Sequence, residues 1–269
     1  METLRHPAVA GRFYPAERAS LIQDLESYLS PSETRKPAIG CIVPHAGYIY
    51  SGPVAGAVYA NIDVPERCII LCPNHTGRGR PLAIMSSGAW QTPLGSAKID
   101  SDLAAKLKTQ FPLLSEDSDA HRSEHAVEVQ LPFLQKQQSQ LNFVPIALGV
   151  RDFEILKALG EVLAKVLRSE DEPVLMIASS DMNHYESDAV TRIKDNKAIE
   201  RILGLDTRGL YDVVTQQDVS MCGFGPAIVM LTAAKHMGAA SAELVKYATS
   251  GDVSGDRDMV VGYAGVLVR

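Results

Sequence analysis

Seven histidines and four cysteines set the reactive repertoire of this 269-residue chain, and several stand in polar clusters. His45 lies in Pro44-His45-Ala46-Gly47-Tyr48-Ile49-Tyr50-Ser51-Gly52. Its glycines allow close backbone approach, and its tyrosines offer hydroxyls or a stacking wall. His75 lies in Pro73-Asn74-His75-Thr76-Gly77. A lone histidine is more often structural than a ligand, but two in equivalent settings bring the two readings level. Asp181 and His184 share Ser179-Ser180-Asp181-Met182-Asn183-His184-Tyr185. If that segment opens a helical turn, both can face one cavity, as metal ligands or as proton-transfer groups. The competing reading is an N-cap aspartate beside a partly exposed histidine.

Cys222 stands in Ser220-Met221-Cys222-Gly223-Phe224-Gly225-Pro226, just before a helical pattern. The positive end of a helix dipole would bias it towards thiolate, the form that binds metal. Two imidazoles and a thiolate suit Zn(II), Fe(II) or copper better than Mg(II) or Ca(II). The rival use is a covalent nucleophile paired with His184 or His45. Cys41, Cys68 and Cys72 read instead as small buried hydrophobes. In an extended strand Cys68 and Cys72 would be roughly 13 Å apart, too far for a disulfide or one metal. His121-Arg122-Ser123-Glu124-His125 fits the inverted zinc-peptidase pattern H-x-x-E-H. That chemistry needs the motif on one helix, whereas the apolar periodicity begins only at Val127. Glu124 and His125 are therefore expected at a helix start, facing the same pocket or capping it. His6 and His236 read as surface residues.

The elements that must position these groups are legible as apolar runs. Buried strands are expected at Ile39–Val43, Cys68–Cys72, Leu82–Met85, Phe143–Leu148, Val174–Ala178 and Val260–Val268. Helical patterns lie between them at Leu21–Leu29 (with Ser20 as N-cap), Ser101–Leu107, Val127–Gln137, Phe153–Leu167, Ala189–Leu203 and Phe224–Met237. The alternation predicts an α/β fold: a single domain over residues 1–269, with a mainly parallel or mixed central sheet covered by helices on both faces. In such folds ligands bind beyond the carboxyl ends of the strands. IGCIVP runs into His45, IILCP into His75 and VLMIASS into Asp181, so the reactive groups fall where that pocket should be. The turn-rich stretch Tyr247–Asp256 is read equally as pocket polar groups or as an ordinary loop.

Bulk composition narrows the function classes. Hydrophobic residues make up 46% and charged residues 22%, an ordinary globular balance, and the net charge is -6. Without a basic run, neither nucleic acid nor an anionic membrane is an expected partner. The apolar stretch Met259–Val268 is about half what a bilayer span requires. The N-terminus lacks the apolar core of a signal peptide, so a cytoplasmic location is expected.

Taken in order, the clusters resemble the Memo family, also labelled AmmeMemoRadiSam system protein B. The resemblance runs from Ala10-Gly11-Arg12-Phe13-Tyr14-Pro15 through PHAGYIYSG, PNHTG, EHAVEVQLPFL, SSDMNHY and CGFGP to TSGDVSGD and VVGYAG. It implies a fold similar to class III extradiol non-haem iron dioxygenases. It also implies a metal site of His45, His75 and Cys222, with Asp181 and His184 lining the same pocket. Asp181, His184 and His125 are then the expected proton-transfer residues. Fe(II) is the expected metal, with copper or zinc as alternatives. A thiolate in place of the dioxygenase carboxylate changes the metal's potential, so dioxygenase activity does not follow. The expected function is that of a metal-dependent redox protein or enzyme acting on a small-molecule or peptide ligand. The resemblance associates it with a radical-SAM protein and an AMMECR-type protein as partners. One alternative is a signalling module that binds a peptide or protein in the same pocket; another is a hydrolase using Cys222 as nucleophile.

Overall fold

A computed structural model describes residues 3–29 and 35–269. Its centre is four adjacent parallel strands in the order Asn142–Leu148, Arg67–Pro73, Val174–Ser179 and Gly40–Val43. Val260–Val268 joins antiparallel to Gly40–Val43, and Ala242–Thr249 extends that edge. On the other side Gly95–Ile99 lies parallel to Asn142–Leu148 and carries the hairpin partner Ala89–Thr92. Among the described residues the strands form a 12-stranded mixed sheet, the α/β architecture expected.

The central strands are buried on both faces, which explains why they read as continuous apolar runs. Ile42, Ile69, Leu71, Val144, Ile146 and Met176 face one core layer, shared with helices Ser101–Gln110, Phe153–Leu167 and Phe224–His236. Their neighbours Cys41, Val43, Cys68, Ile70, Cys72 and Ile177 face the other, against helices Arg18–Tyr28 and Tyr48–Ala60. The period of two along each strand thus divides one apolar run between two cores. It also puts Cys41, Cys68 and Cys72 in the core, fully buried, as expected.

Several boundaries shift for local reasons. The first helix begins at Arg18 and is capped by Glu17, whose carboxylate accepts the Ser20 amide, so Ser20 is not the cap. The helical pattern from Val127 divides into a 3-10 turn, Glu128–Gln130, and a helix, Leu131–Gln137, that starts around Pro132. Helix Tyr48–Ala60 was not expected, because its glycines and Pro53 argue against helix. Those glycines serve packing: a Cβ at Gly56 would overlap the Tyr28 carbonyl, and one at Gly52 would meet its ring at 2.7 Å. Helix Thr207–Gln216 and the Ala89–Ile99 hairpin were likewise unexpected. Among the described residues no helix is long and apolar enough to cross a membrane.

Candidate metal centre

Val43 pairs with Ser179, and Leu71 with Ala178, so the carboxyl ends of three adjacent strands lie side by side. The chain leaves them through Pro44-His45, Pro73-Asn74-His75 and Ser180-Asp181. Proline at the end of the first two releases the ladder and turns the chain outward. A loop from the far side completes the ring: Glu124 and His125 follow the short helix Asp119–Arg122 and precede the 3-10 turn. His45, His75 and His125 each bring one ring nitrogen to within 4.8 Å of the others. The rings of His75 and His125 stack at 4.8 Å, and His45 meets both edge-on at 5.1 and 5.4 Å.

Each imidazole has a support that fixes its ring. His45 Nδ1 lies 3.0 Å from Ser179 Oγ, and the His45 amide donates to Asp181 Oδ1 at 2.7 Å. The Glu124 carboxylate accepts the His75 amide at 2.7 Å and lies 2.9 Å from His75 Nδ1. With Nδ1 engaged in both, Nε2 is the nitrogen left for a metal, and carboxylate–histidine pairing is the usual outer support of such ligands. Phe13 packs on His125 at 4.8 Å between ring centres. Cys222 Sγ lies 3.2 Å from His45 Nε2, on the loop that enters helix Phe224–His236.

The electrostatics favour the neutral imidazole, the form that binds metal, at His45, His125 and His184. Burial, then the neighbouring His75, His125 and His184, push the His45 pKa far down. Burial likewise lowers those of His125 and His184. At His75, burial opposes charging, but the Glu124 hydrogen bond and charge outweigh it and raise the pKa above the ordinary value. Burial raises Asp181 to about 7, against the pull of the His45 amide and the His75 charge. Crowded imidazoles, each held by a hydrogen-bonding support or a packed ring, fit a transition metal and do not fit a hard oxygen-seeking cation.

Cys222 behaves differently from the expectation drawn from its place before a helix. Burial, and then the Asp181 carboxylate, drive its thiol pKa well up, so desolvation defeats the helix dipole and the free cysteine stays a thiol. That weakens the nucleophile reading. The H-x-x-E-H pattern also dissolves: His121 ends up fully buried against Trp90, apart from the three clustered histidines. His184 sits at the rim, its Nδ1 3.0 Å from the Ser220 carbonyl. His6 pairs with Gln91, and His236 lies at an exposed helix end. In the turn-rich stretch, Asp252 is spent on the Thr249 amide and on Arg192 and Arg257.

A family profile described as Memo-like protein matches residues 5–267. The chain belongs to the Memo family. A MEMO1 family protein of Methanopyrus kandleri is 44% identical, covering 98% of this chain and 99% of the relative. One from Methanosarcina barkeri is 43% identical over 99% of this chain and 100% of its own length. In three dimensions the chain is similar to an uncharacterized protein of Escherichia coli K12, with a TM-score of 0.54 at 12% identity, covering 83% of this chain and 98% of that one. That likeness concerns the fold alone. The Memo-family segments map onto the centre itself: PHAGY carries His45, PNH carries His75, EHAVEVQ carries Glu124 and His125, and CGFGP carries Cys222. Sequence reasoning did not find the roles of Ser179, Phe13 and Ser220. Their only signal was membership of the quoted segments, since serine and phenylalanine carry no ligand chemistry of their own.

Proposed function

We propose that this Memo-family chain is a metal-dependent redox enzyme, holding Fe(II), or in its place copper, between His45 and His75, with His125 and Cys222 on either side as further ligands. One observation carries the reading: three histidine donor atoms lie within 4.8 Å of one another, with the Cys222 sulfur beside His45. Bound there, iron would supply one-electron redox chemistry and coordination positions for a substrate. The chain's own groups do the rest. Glu124 orients His75, and Ser179 orients His45. Asp181, with a pKa of about 7, can hold or release a proton at neutral pH beside the cluster. His184 stands at the rim as a second proton carrier. His75, with a side chain 32% exposed, marks the side from which a small-molecule or peptide substrate would approach.

The test is metal quantitation on protein purified without air, followed by Fe(II) titration of the wild type and of the His45→Ala, His75→Ala, His125→Ala and Cys222→Ser variants. One equivalent of metal in the wild type, lost on replacing His45 or His75, supports the reading. A wild-type protein that takes up neither Fe(II) nor copper in stoichiometric amount rejects it. A thiolate-to-metal absorption band absent from Cys222→Ser assigns the sulfur as a ligand.

A further inference from the structure

Cys222 meets His45 across 177 residues of sequence, and the loop that carries it is fastened on both sides. On the far side the Gly223 amide donates to Ser180 Oγ at 3.0 Å. A Cβ at Gly223 would overlap the Ser179 carbonyl and the Ser180 side chain, so the loop lies directly against the segment bearing Asp181. On the near side the fastener is Asn183. Its Oδ1 accepts both the Ser220 amide and the Ser220 hydroxyl, each at 3.0 Å. Ser220 Oγ in turn accepts the His184 amide at 2.8 Å, and the Ser220 carbonyl lies 3.0 Å from His184 Nδ1.

Asn183 is itself held on every side. It is fully buried, and its amide donates to Asp195 Oδ1 at 2.8 Å. Its carbonyl accepts the Gly262 amide at 2.9 Å, and its Nδ2 donates to Glu186 at 2.7 Å. Asp195, fully buried in helix Asp188–Leu203, also accepts the Tyr247 hydroxyl at 2.6 Å. The helix and the sheet edge thus hold the Asn183 backbone, while its side-chain oxygen faces the cysteine loop. The side-chain hydrogen bonds of Asn183 and Asp195 run to Ser220, Glu186 and Tyr247, and not to the clustered histidines.

We propose that Asn183 is a positioning residue: it clamps Ser220, and through it sets Cys222 against His45 and His184 at the rim, on a base built from Asp195. The proposal rests on the metal-centre reading for its purpose, but the clamp can be measured in metal-free protein. Cys41, Cys68 and Cys72 are fully buried and Cys222 is partly exposed, so alkylation of the folded protein by iodoacetamide reports on Cys222.

The experiment compares wild type with Asn183→Ala and the milder Ser220→Ala, the latter at an exposed position where folding should survive. Leu25→Ala, in the core layer around helix Arg18–Tyr28, shows the effect of lost stability alone. Alkylation several-fold faster in both clamp variants but not in Leu25→Ala is the expected result. Co(II), used as the metal probe, should bind them about 10–100-fold more weakly, with loss of the thiolate charge-transfer band. Wild-type alkylation rate, Co(II) affinity and band in folded Ser220→Ala would overturn the clamp. A wild type that takes up no Co(II) counts against the metal reading, while the alkylation rates still decide the clamp.

Discussion

Glu124 grips His75 twice, with one carboxylate oxygen on the backbone amide at 2.7 Å and the other 2.9 Å from Nδ1. The same carboxylate takes the Ala126 amide at 3.0 Å and lies 3.5 Å from His125 Nδ1, so a fully buried acid ties His75 to the loop that carries His125. Burial alone would raise its pKa, but the His75 hydrogen bond and charge, with the Ala126 amide, bring it below the ordinary value. Replacing it should therefore disturb the metal site more than its distance from the metal implies. Glu124→Ala should weaken Fe(II) binding by about 10–100-fold, and Glu124→Gln, which keeps one acceptor, by less. Anaerobic titration of both variants checks the order, and equal affinities for the two would refute it.

Metal should act as a folding ligand. At about 100-fold excess over its Kd, Fe(II) should raise the stability of the wild type by about 2.7 kcal/mol, because it binds only the folded chain. His75→Ala should show no such rise in a thermal melt run with and without the ion. A variant that gains as much as the wild type would remove His75 from the ligand set.

Asp181 makes stability depend on pH with a definite sign. Its folded pKa of about 7 lies above the ordinary 3.8, so the folded state holds the proton more tightly than the unfolded chain. The contribution is complete below the unfolded value and disappears as pH rises through the folded one. Asp181→Asn should remove this dependence, leaving metal-free protein more stable than wild type at pH 8 by a few kcal/mol, with little difference near pH 4. Urea unfolding at the two pH values measures this, and a gain of equal size at both would contradict it.

The N-terminal segment is tied beneath the centre by one buried ion pair. Arg5 donates to Glu128 at 2.7 Å, and Glu128 also accepts the amides of Ala8 and Val9 and the Tyr14 hydroxyl. Arg5 donates as well to the backbone carbonyls of His121 and Glu124. Glu128→Ala would strand a buried guanidinium and several donors, at a cost of about 3–5 kcal/mol. Denaturant unfolding should show that loss, and limited proteolysis should show earlier cleavage before Phe13. A loss below 1 kcal/mol, on the scale of an exposed pair, would be inconsistent with this burial.

Gly262 leaves room for the Asp195 carboxylate: a Cβ there would overlap Oδ2 and approach the Met182 Cβ to 3.2 Å. Gly262→Ala should cost about 1–3 kcal/mol through overpacking. It should also displace Asn183, whose carbonyl accepts the Gly262 amide. A melting temperature equal to the wild type's would show that the helix yields more readily than its packing indicates.

The sequence by itself determined the central strands, their burial on both faces and the ends from which His45, His75 and Asp181 emerge. Those features are local: an uninterrupted apolar run of strand length, followed by a proline or a polar turn, has few other solutions. The Memo-family motifs were legible in the same way, as short strings in order. Helix Tyr48–Ala60 was not, because its glycines weaken helix locally and are repaid only by contact with Tyr28. Tertiary structure alone decided that the loop bearing Glu124 and His125 closes over the two strand-end histidines, while His121, four residues before His125, turns away into the core. It also decided the state of Cys222. Helix position argued for a thiolate, but the burial created by distant segments outweighs a dipole that acts only over one turn. Spacing in sequence says which groups a chain can offer; strand order and crossovers settle which of them meet, and how much water stays with them.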